Sequence, residues 1–137
     1  MTKNEFIEKM LFRPWVARAI GWQAVDCYGL IVMYYRHVLN IELPIPQGFY
    51  DEDDTRANSW FDGVKHWQDV KTPSTDNIVF TAYIGDKPAH VGLCIGDNKV
   101  LHARGTRNVG GCVEIHSLSA IERLYGKLTY HKFIGDK

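Results

Sequence analysis

The spacing of apolar residues changes once along the chain, and this change limits the folds that are available to it. Apolar residues recur at steps of three and four within residues 3–12 and 27–38, which is typical of amphipathic helices. Later segments alternate apolar and polar residues, as strands do; the predicted strands are 78–83, 90–95, 100–103, 112–115 and 129–134. Helices followed by strands predict an α+β fold, with N-terminal helices packed on an antiparallel sheet.

The chain shows no internal repeat, low-complexity tract or linker that would divide it. Its 137 residues are therefore expected to form a single domain over 1–137. A further short helix is predicted at 58–67, after a polar loop that contains the acidic residues 51–54. These carboxylates lack the spacing of a calcium-binding loop and are interpreted as solvated.

Charge and cysteine content exclude several classes of protein. The 16 Lys and Arg residues balance the 16 Asp and Glu residues, so the chain lacks the basic excess with which proteins bind nucleic acid or anionic membranes. Its three cysteines are an odd number and form no Cys-x-x-Cys pair, which argues against a disulfide framework or a zinc ribbon. At least one of them must remain a thiol.

Cys27 occupies a position that favours reactivity. Asp26 is a suitable N-cap, so Cys27 is expected in the first turn of the helix that follows. The positive end of the helix dipole favours the nucleophilic thiolate, and the N–H groups of the turn are suited to stabilise an oxyanion. Cys27 is therefore a candidate nucleophile, whereas Cys94 and Cys112 are interpreted as packed residues.

A nucleophilic thiol needs a base, and two of the six histidines lie on adjacent predicted strands. Alternation places His90 and Gly92 on one face of their strand, and His102 on one face of the next. A two-residue turn at Asp97 and Asn98 would separate the two imidazoles. A three-residue loop would instead place Gly92 opposite His102 and both rings on one face, and we predict this loop.

The remaining histidines are interpreted singly, as exposed or hydrogen-bonded structural residues; they are His37, His66, His116 and His131. A zinc site made of Cys27, His90 and His102 is chemically feasible, because thiolate and imidazole are good zinc ligands. No short spacing supplies a chelating pair, however, and no metal is expected.

Three blocks of the sequence, in order, resemble the signature of the NlpC/P60 cysteine peptidases. DCYGL at 26–30 is similar to the family's DC-x-GL block, HVGLCIG at 90–96 to HVG-x-x-x-G, and HA at 102–103 to the closing HA. Each block alone is weak, but their conjunction is specific. The resemblance covers about residues 10–116, and NIELP at 40–44 is similar to the phage tail-associated members.

The resemblance implies a papain-like α+β fold, with the nucleophile at a helix N-terminus. It also implies hydrolysis of peptide bonds in bacterial peptidoglycan, typically between D-γ-glutamate and diaminopimelate, without a cofactor. Cys27 takes the place of the nucleophile, His90 that of the general base and His102 that of the residue that orients His90. The implied reaction passes through a thiolate–imidazolium pair and an acyl-enzyme on Cys27.

Three further residues are candidates for parts of the site. Trp15 stands twelve residues before Cys27, where the family usually has a tyrosine that assists the oxyanion, so Trp15 is a candidate for that role or for a wall of the cleft. Arg104 and Arg107 follow His102 and are suited to bind a substrate carboxylate. Solvated loop charges are the commoner use of such arginines.

The first fifteen residues contain no unbroken apolar stretch of the kind found in signal peptides or membrane spans. Together with the resemblance, this suggests a protein made in a host cytoplasm and carried in a virion tail. Its expected partners are peptidoglycan stem peptides and other tail-tip proteins, with no nucleic acid and no membrane insertion. Two alternatives stay open: a tail assembly protein with reduced or lost activity, and an injected antibacterial effector that acts as a peptidoglycan amidase.

Overall fold

The computed structural model describes residues 1–44, 67–73, 77–85, 87–106 and 108–135. The elements in these segments are α1 (Lys3–Met10), α2 (Cys27–Val38), β1 (Trp67–Val70), β2 (Val79–Ile84), β3 (Lys87–Gly96), β4 (Lys99–Thr106), β5 (Gly110–Ser117), α3 (Leu118–Tyr125) and β6 (Leu128–Phe133). The predicted α+β class is confirmed. Within the described residues, no helix has the length and apolar character needed to cross a membrane.

Two predicted features fall largely outside the described residues. The acidic loop at 51–54 lies entirely outside them, and so does the helix predicted at 58–67, apart from its last residue. That residue, Trp67, begins strand β1.

Helix α2 begins at Cys27 because Asp26 caps it. The buried Asp26 carboxylate accepts hydrogen bonds from the Gly29 N–H at 2.7 Å and from the Arg18 N–H at 3.0 Å. Glycine is needed at position 29, since a Cβ there would collide with the carbonyl oxygen of Ala19. One carboxylate thus holds both the helix and the segment before it, and it places Cys27 in the first turn as predicted.

Six antiparallel strands form one sheet in the order β1-β6-β2-β3-β4-β5. Successive residues of the central strands belong to two different hydrophobic clusters, as the alternation of a strand requires. Leu93 and Leu101 pack with α1 and α2, whereas Phe80 and Val100 pack with α3. Helices therefore cover both faces of the central strands.

The connection between β3 and β4 differs from the prediction. Asp97 and Asn98 form a two-residue turn with positive φ angles of 54° and 57°, so the predicted three-residue loop is wrong. A bulge between Cys94 and Gly96 supplies the extra residue within the strand. Beyond the bulge, Cys94 pairs with Val100, which is the predicted register. A one-residue bulge shifts the strand pairing by one residue, as the predicted three-residue loop would have done.

Candidate active site

His90 and His102 form a direct hydrogen-bonded pair on one face of the sheet. His90 Nε2 lies 2.9 Å from His102 Nδ1, and both residues are buried. The register sets Gly92 opposite His102, where a Cβ would stand 2.9 Å from the His102 Cβ and would collide with the ring of Phe80. Glycine at position 92 therefore leaves the room that the two imidazoles need, as the sequence predicts.

The hydrogen bonds continue past His102 across strand β5. His102 Nε2 lies 2.7 Å from His116 Nδ1, and His116 Nε2 lies 3.2 Å from Glu114 Oε2. We call these four residues, His90, His102, His116 and Glu114, the histidine row. The row runs from the buried sheet to a carboxylate at its partly exposed end.

The sequence interpretation did not connect His116 and Glu114 with this site. Strand β4 pairs His102 directly with Glu114, which makes His116 the diagonal neighbour of His102. The alternation of β5, in which Val113 is buried, was the available signal that Glu114 and His116 share the opposite face. Only the pairing of β4 with β5 shows that this face adjoins His102.

Burial and neighbouring charges keep the two inner imidazoles neutral. The pKa of His90 is held well below its usual value, first by burial and then by His102 and Arg104. The pKa of His102 is lowered to about 4 by burial, with contributions from His116 and Arg104. Both rings are therefore uncharged near neutral pH, the state in which an imidazole can accept a proton.

A cleft of about 870 Å³ opens beside His90. Among the described residues, its polar lining includes Arg104, Glu114, His116 and Tyr125. Its rim carries exposed apolar side chains, namely Ile84, Val109 and Leu124. Most of the histidine row thus borders a space that can hold a ligand with both polar and apolar parts.

Tyr125, at the end of α3, stacks on His90 and interacts electrostatically with Cys27. Its ring is stacked on that of His90, with centroids 5.8 Å apart and an interplanar angle of 16°. The pKa of its hydroxyl is raised chiefly by burial, while Arg104 acts in the opposite direction and Cys27 adds to the rise. Helix α3 was not predicted, although Ser117 caps it and Leu118 and Ile121 are buried at helical spacing.

The other candidate residues occupy different places. Cys27 is buried in the cluster around α2, and the three cysteines, all in described segments, form no disulfide. Cys94 is buried as predicted, but Cys112 is only partly buried and its thiol lies 3.4 Å from Glu114 Oε1. Arg107 lies outside the described residues, whereas Arg104 borders the cleft.

Trp15 is buried and packs on strand β4. A Cβ at Gly105, which lines the cleft, would stand 2.8 Å from the Trp15 ring. The backbone N–H of Trp15 donates to the Gly111 carbonyl at 2.9 Å. Trp15 thus supports the backbone under one part of the cleft.

No group of three or more His, Cys, Asp or Glu side chains in the described segments is arranged to hold a metal ion. The histidine row is linear, with each ring bonded to the next, whereas a metal site requires side chains that converge on one point. The hydrogen bonds of the row allow a proton to pass from one ring to the next.

The NlpC/P60 family model matches residues 13–135, and the chain belongs to this family. Members of the family are cysteine peptidases and peptidoglycan hydrolases. The family assignment agrees with the order of the sequence blocks that contain Cys27, His90 and His102. No curated protein matches the chain at a significant level.

Solved structures share the fold at low sequence identity. A protein similar to a lipoprotein of the NLP/P60 family from Staphylococcus aureus is 19% identical, with a TM-score of 0.65 over 97% of this chain and 40% of its own. NlpC1 from Trichomonas vaginalis is 18% identical, with a TM-score of 0.62 over 97% of this chain and 43% of NlpC1. The NlpC/p60 domain of the peptidoglycan hydrolase SagA is 13% identical, with a TM-score of 0.59 over 92% of both chains. The present chain thus spans about two fifths of the first two proteins and nearly all of the SagA domain.

Proposed function

We propose that this chain is a cysteine endopeptidase that cleaves stem peptides of bacterial peptidoglycan, with Cys27 as nucleophile, His90 as general base and His102 as the residue that orients His90. The observation that carries the proposal is the direct, buried His90–His102 hydrogen bond beside a cleft. Cys27 in the capped first turn of α2 supports it further, and so does Tyr125, which stacks on His90 and interacts electrostatically with Cys27.

The reaction starts from a neutral base. Because the pKa of His90 is lowered, its imidazole is uncharged at rest, and it takes the Cys27 proton as Sγ attacks the carbonyl carbon. This differs from a resting thiolate–imidazolium pair, since the proton moves during the attack. The positive end of the α2 dipole stabilises the oxyanion that forms on the carbonyl oxygen.

His90 then returns the proton to the leaving amine as the C–N bond breaks, which leaves a thioester on Cys27. A water molecule enters and gives a proton to His90 while its oxygen attacks the thioester carbon. The C–S bond breaks, the product carboxyl leaves, and His90 returns the proton to the Cys27 sulfur. No redox agent or metal takes part in these steps.

Arg104 supplies a cation for the carboxylates of the substrate. It borders the cleft and acts electrostatically on His90, His102 and Tyr125. Stem peptides cut between D-γ-glutamate and diaminopimelate carry carboxylates close to the scissile bond, so Arg104→Gln is expected to raise KM with little effect on kcat. Arg107 is proposed for the same role on the basis of its sequence position alone.

Trp15 is proposed as a wall of the cleft, because its ring packs under Gly105. Trp15→Phe keeps an aromatic ring and removes the indole N–H, so kcat should change little if Trp15 is a wall. A loss of kcat in this variant would assign the indole N–H to the oxyanion instead.

The direct test of the proposed function is digestion of purified sacculi, followed by mass spectrometry of the released muropeptides. The wild type should release fragments that end in a new glutamate carboxyl and a new diaminopimelate amine, whereas Cys27→Ala should release none. Cys112→Ser is the matched control, because it changes another thiol and keeps a hydroxyl that can donate to Glu114. Fragments that persist in Cys27→Ala, or none with the wild type, would reject the proposal.

Alkylation with iodoacetamide tests the nucleophile without a substrate. In the Cys112→Ser background, Cys27 should react faster than a cysteine in the denatured chain, because His90 takes its proton as Sγ attacks the reagent. The other remaining thiol, Cys94, should stay unreactive, since burial raises its pKa to about 12. An equal or slower reaction would favour the alternative, a tail assembly protein without activity.

The proposed biological setting is a phage tail that opens the wall locally. The resemblance of residues 40–44 to phage tail-associated members supports it. Detection of the chain by mass spectrometry in purified virions, beside tail-tip proteins, is the expected result. Its absence from virions, combined with activity on sacculi, would favour the injected effector.

A further inference from the structure

The histidine row ends on a group whose hydrogen-bonding role is known. An ionised carboxylate can only accept a hydrogen bond, whereas each ring nitrogen of a histidine can donate or accept. Glu114 Oε2 faces His116 Nε2 at 3.2 Å. His116 Nε2 must therefore carry the hydrogen in this contact.

The hydrogen on His116 Nε2 sets the positions of the other ring hydrogens in the row. With one hydrogen on each ring, His116 Nδ1 has the lone pair and accepts from His102 Nε2, 2.7 Å away. His102 Nδ1 is then the acceptor, and His90 Nε2 donates to it over 2.9 Å. His90 is left with its lone pair on Nδ1.

The surroundings keep the two inner rings of the row, His90 and His102, uncharged. Arg104 acts electrostatically on His90 and His102 and disfavours a positive charge on either ring. Tyr125 of α3 stacks on His90, and the Cys112 thiol lies beside the other oxygen of Glu114. The pKa values of the two inner rings, both lowered, agree with neutral imidazoles at pH 7.

We propose that Glu114 and His116 are positioning residues that hold His90 in the tautomer with a hydrogen on Nε2, so that His90 Nδ1 is free to take the Cys27 proton. The inference rests on the proposed function, since it gives His90 the role of base. It gives a role in the reaction to two residues that lie outside the three sequence blocks of the family. A base in the wrong tautomer is a poor catalyst even when its position is unchanged.

Substitutions of His116 separate this role from a purely structural one. His116→Gln keeps an acceptor, because the amide oxygen can receive the His102 Nε2 hydrogen. His116→Ala removes the acceptor and lets His102 and His90 adopt the other tautomer. We expect His116→Ala to lower kcat by about 10- to 100-fold with KM nearly unchanged, and His116→Gln to recover most of the loss.

Glu114→Ala provides a second variant that leaves all the rings in place. Both Glu114 and His116 are partly exposed on β5, so neither substitution creates a large cavity. Glu122→Ala on α3 is the matched control, since it removes another exposed carboxylate that does not belong to the row.

The deciding measurement is the tautomer of His90, read from long-range ¹H–¹⁵N correlation spectra of the ¹⁵N-labelled full chain at pH 7.5. The expected result is the Nε2–H form in the wild type, in Glu122→Ala and in His116→Gln, and a loss of that form in His116→Ala and Glu114→Ala. A wild-type His90 with its hydrogen on Nδ1, or unchanged tautomers in both alanine variants, would overturn the proposal.

This measurement needs no substrate, so it separates the inference from the proposed function. If the tautomers behave as expected but sacculi are not cleaved, the peptidase assignment fails and the ordering of the row stands. If sacculi are cleaved through Cys27 while His90 keeps its tautomer in every variant, the role of Glu114 and His116 is rejected.

Discussion

Two buried histidines of the same sheet, His90 on β3 and His131 on β6, are surrounded in different ways. His131 Nε2 lies 3.0 Å from Thr81 Oγ1 and 3.1 Å from Thr129 Oγ1, and its Nδ1 lies 2.9 Å from Asp69 Oδ1. A carboxylate, an imidazole and a hydroxyl are thus aligned, as in a hydrolytic triad. His90 has no carboxylate among its direct partners in the described structure, and its row reaches one only through two further rings.

The hydrogen-bonded groups around His131 and His90 differ in whether a substrate can reach them, and not in the types of atoms they contain. Thr81 is fully buried within the sheet, so no substrate can reach its hydroxyl. His90 borders the cleft and stacks on Tyr125, which interacts electrostatically with Cys27. Triad-like hydrogen bonds therefore link strands β1, β6 and β2 around His131. At His90, the proposed role of a similar set of bonds is to prepare a base.

The largest expected difference between the two groups is in activity. His90→Ala removes the proposed base and should lower kcat/KM on muropeptides by at least about 10³-fold. Circular dichroism would show whether the variant is folded. Activity within tenfold of the wild type would remove His90 from the proposed mechanism.

The second-largest expected effect is a loss of folding stability at low pH, caused by the protonation of His102. Its pKa is about 4 in the folded protein and near 6.5 when unfolded, so the unfolded chain binds more protons between these values and stability falls as the pH falls through this range. The free energy of unfolding should drop by up to roughly 3 kcal/mol from this residue.

Urea unfolding at pH 7 and pH 4.5 measures this effect. His102→Gln should show a smaller drop than the wild type. Burial also lowers the pKa of His90 and His131, so the difference between wild type and variant isolates the share of His102. If the free energy of unfolding of His102→Gln fell as much as that of the wild type, His102 would not be the source of the acid destabilisation.

His131→Ala should affect stability but leave the chemistry intact. It opens a cavity between β6 and β2 and leaves the Thr81 hydroxyl without its imidazole partner, which should cost about 2 kcal/mol in the free energy of unfolding. Urea unfolding checks the loss, and kcat per folded molecule should stay within about twofold of the wild type. A catalytic defect as large as that of His90→Ala would erase the distinction between the two groups.

The smallest effect is expected at Asp69. Its side chain is 80% exposed, so solvent screens its interaction with His131. Asp69→Asn should therefore lower the free energy of unfolding by less than about 1 kcal/mol. A larger loss in urea unfolding would mean that the carboxylate, and not the burial of the imidazole between two threonines, holds His131 in place.

Local features of the sequence were sufficient for much of the fold and for part of the site. The start of α2 follows from Asp26 and its hydrogen bond to Gly29, which lie only three residues apart. The shared face of His90 and His102 follows from alternation plus one register choice. The predicted register is correct, but the predicted three-residue loop is not, because a bulge in β3 produces that register instead.

Other parts depend on contacts between distant segments. Helix α3 is short, and it is stabilised by packing against β2 and β5, which no local pattern specifies. The link from His102 to His116 needs the exact pairing of β4 with β5, which depends on side chains from both strands. Tyr125 reaches His90 only because α3 folds back over the sheet.

Local sequence patterns are sufficient to predict the α+β class, the family, the capped turn at Cys27 and the shared face of His90 and His102. Each of these depends on spacing along one or two neighbouring elements, where helix and strand geometry is regular. Tertiary packing sets which histidine is buried inside the sheet, which one borders a cleft and which carboxylate ends the histidine row. Those outcomes depend on burial and on strand register, which arise only when segments far apart in the chain pack together.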